Sequence, residues 1–112
     1  MPRDASLFLD DILDACRKIR RYTVNVTPDQ FRSDEKTVDA VVRNLEVIGE
    51  AAKKLPDEFR DQIRDVEWQR IAGLRDILIH EYFGIDVEII WDIVQNKVPT
   101  LELRVEDFLR SL

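Results

Sequence analysis

The sequence predicts an all-α fold, a four- to five-helix up-down bundle, and three observations carry that prediction. Apolar residues recur at i, i+3, i+4 and i+7 over long windows, the period of a helix with one buried face. Charged residues make up 36% of the chain against three glycines and four prolines, a balance that favours solvated helices over strands joined by turns. No segment reads as a strand, and no repeat or linker divides the chain, so residues 1–112 are expected to form one domain.

The first helix is expected over about residues 4–24, where Leu9, Ile12, Leu13, Cys16, Ile19 and Tyr22 share a face and Arg17, Lys18, Arg20 and Arg21 lie on the other. The stretch from Thr23 to Asp34 is polar and β-branched. Pro28 after Thr27 suggests a single turn of helix near Asp29 to Arg32, pinned to the core by Phe31. A second long helix should start at Ser33 or Asp34, with Ser33 able to cap it, and carry Val38, Val41, Val42, Leu45, Ile48, Ala52 and Leu55 until Pro56 stops it. Gly49 interrupts that pattern at a cost of about 1 kcal/mol relative to alanine, which makes sense if another helix or a second chain crosses closely there.

Phe59 and Ile63, four apart, allow a short helix within Asp57 to Asp65. Trp68, Ile71, Ala72, Leu74, Ile77, Leu78 and Ile79 mark the next one. Gly84 suits a turn with positive φ, Asp86 caps a helix through Ile89, Ile90, Ile93 and Val94, and Pro99 opens a last helix that buries Leu101, Val105, Phe108 and Leu112.

Composition bounds the function classes. Hydrophobic residues at 45% of 112 suffice for one core, with oligomerisation as a further source of burial. A lone cysteine, Cys16, excludes an intrachain disulfide, and its apolar neighbours read as a core thiol in a reducing compartment. No apolar run approaches a membrane span, and Met1-Pro2-Arg3-Asp4 is unlike a secretory or transit peptide, so a cytoplasmic protein is expected. The net charge of −6 lacks the basic footprint usual in nucleic-acid binders. Local patches, Arg17 to Arg21 and Lys53 with Lys54, could supply one, although a solvated helix face accounts for both equally well.

The chain's only histidine stands in Arg75-Asp76-Ile77-Leu78-Ile79-His80-Glu81-Tyr82. Imidazole titrates near neutrality and moves protons either way, while a guanidinium keeps its charge and its planar fork matches a phosphate. His80 as general acid or base and Arg75 as stabiliser of phosphoryl charge suit attack of an RNA 2′-hydroxyl on the adjacent phosphodiester, with no metal or other cofactor needed. Five positions on an ideal helix are about 140° of rotation apart, so these two do not share a face. Asp76, four residues before His80, is in reach to orient the imidazole, and Arg75 shares a face with Tyr82. Either the helix loosens by His80, or two copies of it meet across a two-fold axis and bring one chain's arginine to the other's histidine. The alternative is a plain capped surface histidine between Asp76 and Glu81.

Taken together, these blocks resemble the HepT-like ribonuclease toxins of the HEPN superfamily. The resemblance runs through Asp39 to Leu45, Ile48 to Lys53, Trp68 to Gly73, the Arg75 to His80 motif and Tyr82 to Asp86 with Trp91. It implies a homodimer whose paired motifs line a shared cleft, with Arg75 and His80 as catalytic residues of a metal-independent endoribonuclease and Asp76 as the polar residue after the arginine. It implies further a toxin-antitoxin system of type II or a related type. There an MNT-type nucleotidyltransferase antitoxin adds AMP to the motif tyrosine, here Tyr82. Arg43 and Glu50, seven apart in the second block, could support the cleft or the dimer contact, or be only a surface ion pair. A second reading makes the chain a non-catalytic or nucleotide-binding partner of such a nucleotidyltransferase, and a third makes it a structural bundle.

Overall fold

Asp4 starts the first helix: its side chain accepts from the Ser6 amide, and α1 then runs Ala5–Thr23. The computed structural model describes residues 4–81 and 86–112, with the backbone alone at 79–81. Leu9, Ile12, Cys16 and Ile19 of α1 are fully buried, as their spacing requires. Tyr22 is not part of that face. Thr23 turns inward instead, its hydroxyl donating to the Ile19 carbonyl, while Tyr22 stays exposed at the rim. Asn25, at φ 60°, then reverses the chain in the left-handed region that asparagine tolerates.

The expected short turn is α2, Pro28–Ser33, closed by a reciprocal capping box between Thr27 and Gln30. Phe31 is buried from it and stacks at 4.9 Å on Trp91. Ser33 does not cap the next helix. It ends α2, and Asp34 caps α3, Glu35–Lys54, by accepting from the Thr37 amide and hydroxyl. Val41, Leu45, Ile48 and Ala52 face the core, and Leu55 closes α3 just before Pro56.

The polar stretch after it holds α4, Asp57–Gln62, and α5 follows over Trp68–Glu81, with the Trp68 indole N–H donating to the Ile63 carbonyl. The backbone remains α-helical through Glu81, so the helix does not loosen by His80. The positive φ expected at Gly84 concerns a position outside the described residues. Asp86 caps α6, Val87–Asn96, and Pro99 opens α7, Val98–Arg110. Leu112 lies beyond the end of α7 and is 73% exposed rather than buried, because the helix that would have turned it inward stops first.

The described residues thus form helices and no strands, with five longer helices and two of six residues. α3 is the hub: its most extensive contact is with α1 and the next with α5, while α7 covers the other side of α1 and packs on α6. Arg17 pairs with Glu106 at 2.9 Å and Arg20 with Glu102 at 2.7 Å, an order that makes α1 and α7 antiparallel, as an up-down bundle demands. Among the described residues, no helix is long and apolar enough to cross a membrane.

Candidate active site

The site is built where α3 crosses α5. A Cβ at Gly49 would lie 2.8 Å from the Arg75 amide nitrogen, 2.9 Å from the Arg75 Cβ and 3.1 Å from the Ile71 carbonyl oxygen, distances that only a glycine permits. The helix anticipated over Gly49 is therefore α5, and the contact falls on the motif arginine itself. Backbone contact at this point fixes the height and rotation at which Arg75 leaves the helix.

From that seat the Arg75 side chain is half-buried, and its Nε meets Oε2 of Glu50, the residue after the glycine. Glu50 is also paired with Lys54 at 3.1 Å, one turn along α3. The hydrogen bond from Lys54 is the main reason its carboxyl titrates below the ordinary glutamate range. Burial opposes that shift, and the charges of Arg75, Lys54 and Lys53 add to it. Glu50 and Arg43 do not form the intrahelical ion pair considered from their spacing, because Glu50 turns toward α5. Both nonetheless line one cleft of about 290 Å³ with Arg75, Lys54, Glu46 and, from α1, Asp11.

Asp76 is exposed beside this cleft, 3.9 Å from both Lys53 Nζ and Arg75 Nη1. The His80 backbone lies in the last turn of α5, five residues after Arg75 and about 140° around the helix from it. Its imidazole, and Tyr82 entirely, lie outside the described residues, so the expected orienting contact from Asp76 and the modified tyrosine are not placed. Most of both basic patches is paired with acidic residues: Arg17, Lys18 and Arg20 with Glu106, Asp14 and Glu102, and Lys53 and Lys54 with Asp76 and Glu50. Among the described residues, no group of three or more histidine, cysteine, aspartate or glutamate side chains is placed to hold a metal ion.

A second feature lies on the opposite flank of α5. An apolar groove of about 650 Å³ runs between α5, α6 and α7, lined by Ile71, Leu74, Ile77, Ile89, Ile93 and Leu101 among others. Ile77 is 48% and Ile89 57% exposed there, although both belong to helices whose other faces are already packed. Sequence periodicity could not separate these residues from the core, since Ile77 and Leu78 are equally apolar and only the tertiary packing shows that Leu78 turns in.

A family model described as Ribonuclease HepT-like matches residues 12–108. A Methanocaldococcus jannaschii protein named "Putative RNase MJ0127" is 49% identical, over all of this chain and 93% of its own length. "Putative RNase TTE0752" of Caldanaerobacter subterraneus is 42% identical over 93% of each chain, and "Probable ribonuclease HepT" of Thermococcus cleftensis is 39% identical over 95% of this chain and 96% of its own. No solved structure matches the chain.

Proposed function

Because the chain belongs to the HepT-like ribonuclease family, we propose that it is an endoribonuclease in which Arg75 and His80 act together on an RNA phosphodiester. The observation that carries this reading is the seat of Arg75: the α3–α5 crossing commits a glycine to placing that guanidinium at the mouth of a cleft. His80 takes the proton from the 2′-hydroxyl or delivers one to the leaving 5′-oxygen, and Arg75 stabilises the charge that builds on the phosphoryl oxygens.

The active form in this reading is a homodimer. Continuous α-helix from Arg75 to His80 sets the two positions about 140° apart around the helix, so spacing does not bring one chain's pair together, whereas two α5 helices related by a two-fold axis can supply one residue each. The apolar groove beside α5, with Ile77 and Ile89 exposed, supports this by offering a face that gains from being covered.

The protein acts as the toxin of a toxin-antitoxin pair, and an MNT-type nucleotidyltransferase silences it by transferring AMP to Tyr82. A nucleotide phosphate two residues from His80 would place negative charge and bulk where an RNA phosphate must lie. The test of the nuclease assignment is cleavage of a mixed RNA by the purified protein. Arg75→Ala and His80→Ala should each abolish cleavage while leaving the helical circular dichroism unchanged. Undiminished cleavage by His80→Ala would remove the catalytic assignment.

A further inference from the structure

Glu50 reaches Arg75 in a particular way. Its Oε2 takes the Nε edge of the guanidinium, while among the described residues the carboxylate oxygen beside Nη1 is Asp76 Oδ1 at 3.9 Å, beyond hydrogen-bonding distance. A guanidinium can hold an oxyanion along the edge that includes Nε or along the edge between its two Nη atoms. With Glu50 on the first, no described residue is hydrogen-bonded to the second. Glu50 is itself held by Lys54 at 3.1 Å, so Lys54, Glu50 and Arg75 form a chain of alternating charge above the Gly49 seat.

The geometry points to Glu50 as a positioning residue for Arg75, anchoring the guanidinium by Nε so that its Nη edge is presented to an RNA phosphate. This rests on the reading of Arg75 as the phosphate-binding cation. A long arginine side chain that is still about a third exposed would otherwise sample several rotamers, and fixing one of them converts rotamer entropy into orientation before the substrate arrives. Glu50 is not a competitor for the phosphate in this arrangement, because it occupies a different edge. The low proton affinity conferred by Lys54 and Arg75 keeps the anchor charged through the acidic side of neutrality.

The two roles separate kinetically. Glu50→Ala should lower kcat about 10- to 100-fold on an oligoribonucleotide while KM changes by no more than about threefold. Glu50→Gln, whose amide oxygen can accept a hydrogen bond from Nε, should recover kcat to within roughly threefold of the parent protein. The partly exposed position of Glu50 leaves the core untouched, and matched melting curves check that each variant is folded. Glu50→Ala turning over as fast as the parent or faster overturns the inference, as does Glu50→Gln being as slow as Glu50→Ala. Should Arg75→Ala itself retain full activity, the reading of the site fails. Loss in Arg75→Ala with none in Glu50→Ala defeats only the anchoring role.

Discussion

Gly49 of α3 and Arg75 of α5 are in backbone contact, and that one contact joins the fold to the proposed site. A methyl group at Gly49 would sit 2.8 Å from the Arg75 amide nitrogen, an atom that cannot swing aside. Gly49→Ala should therefore push α5 away from α3. Overpacking of this kind costs about 1–3 kcal/mol, offset by about 1 kcal/mol of improved helix propensity. Urea denaturation should show a net loss of up to about 2 kcal/mol, accompanied by weaker RNA cleavage because Arg75 is displaced. A gain of about 1 kcal/mol, the helix-propensity effect alone, would show that the crossing is not tight in solution.

Gly73 gives the opposite expectation from the same type of residue. Nothing lies within 4 Å of a Cβ placed there, so Gly73→Ala should raise the stability of the bundle by about 1 kcal/mol through backbone entropy alone. Gly73 also lines the apolar groove proposed to be covered by a second copy. The denaturation midpoint should rise, and a fall would show that something presses on this position in solution.

Cys16 is fully buried, and burial, aided by Glu102 and partly countered by Arg17, raises its thiol from an ordinary value of 9.0 to about 12. The unfolded chain then releases this proton first. Stability contributed by the neutral thiol is complete below pH 9 and declines as pH rises from about 9 to about 12. Cys16→Ala should flatten that alkaline decline, and a thiol reagent at pH 8 should label the native protein only after denaturant is added. Rapid labelling of the native protein would contradict the burial.

Much of the bundle was legible in single residues. Pro28, Pro56 and Pro99 bounded helices, Phe31 and Cys16 were core by their neighbours, and Gly49 was out of place unless something crossed there. What the sequence could not show were pairings between helices. Spacing relates residues along one helix, so it offered Arg43 to Glu50, whereas the partner of Glu50 across the crossing is Arg75. The same limit hid the pairing of Arg17 with Glu106 and of Arg20 with Glu102 from the far end of the chain, whereas Lys18 with Asp14 and Lys54 with Glu50 are neighbours one turn apart on a single helix. Ser33 and Asp34 are both good caps, and only the backbone at the α2–α3 junction selects Asp34. Nor does a period reveal where a helix ends without a breaker, which is why Leu112 was expected inside.

Incubation with the cognate nucleotidyltransferase and ATP should add AMP units to the intact protein, detectable by mass spectrometry, and Tyr82→Phe should abolish the addition. A label that persists in Tyr82→Phe would place the modification on another residue.

In the proposed enzyme Arg75 and His80 act across two copies of the chain, and mixing two inactive variants examines this directly. In co-refolded Arg75→Ala and His80→Ala proteins, about half of the dimers are mixed, and each mixed dimer keeps one site with an intact arginine from one subunit and an intact histidine from the other. RNA cleavage should return to about a quarter of the parent rate, from two preparations that are each inactive alone. A mixture that exchanges subunits yet stays as inactive as either variant would contradict a site shared between chains.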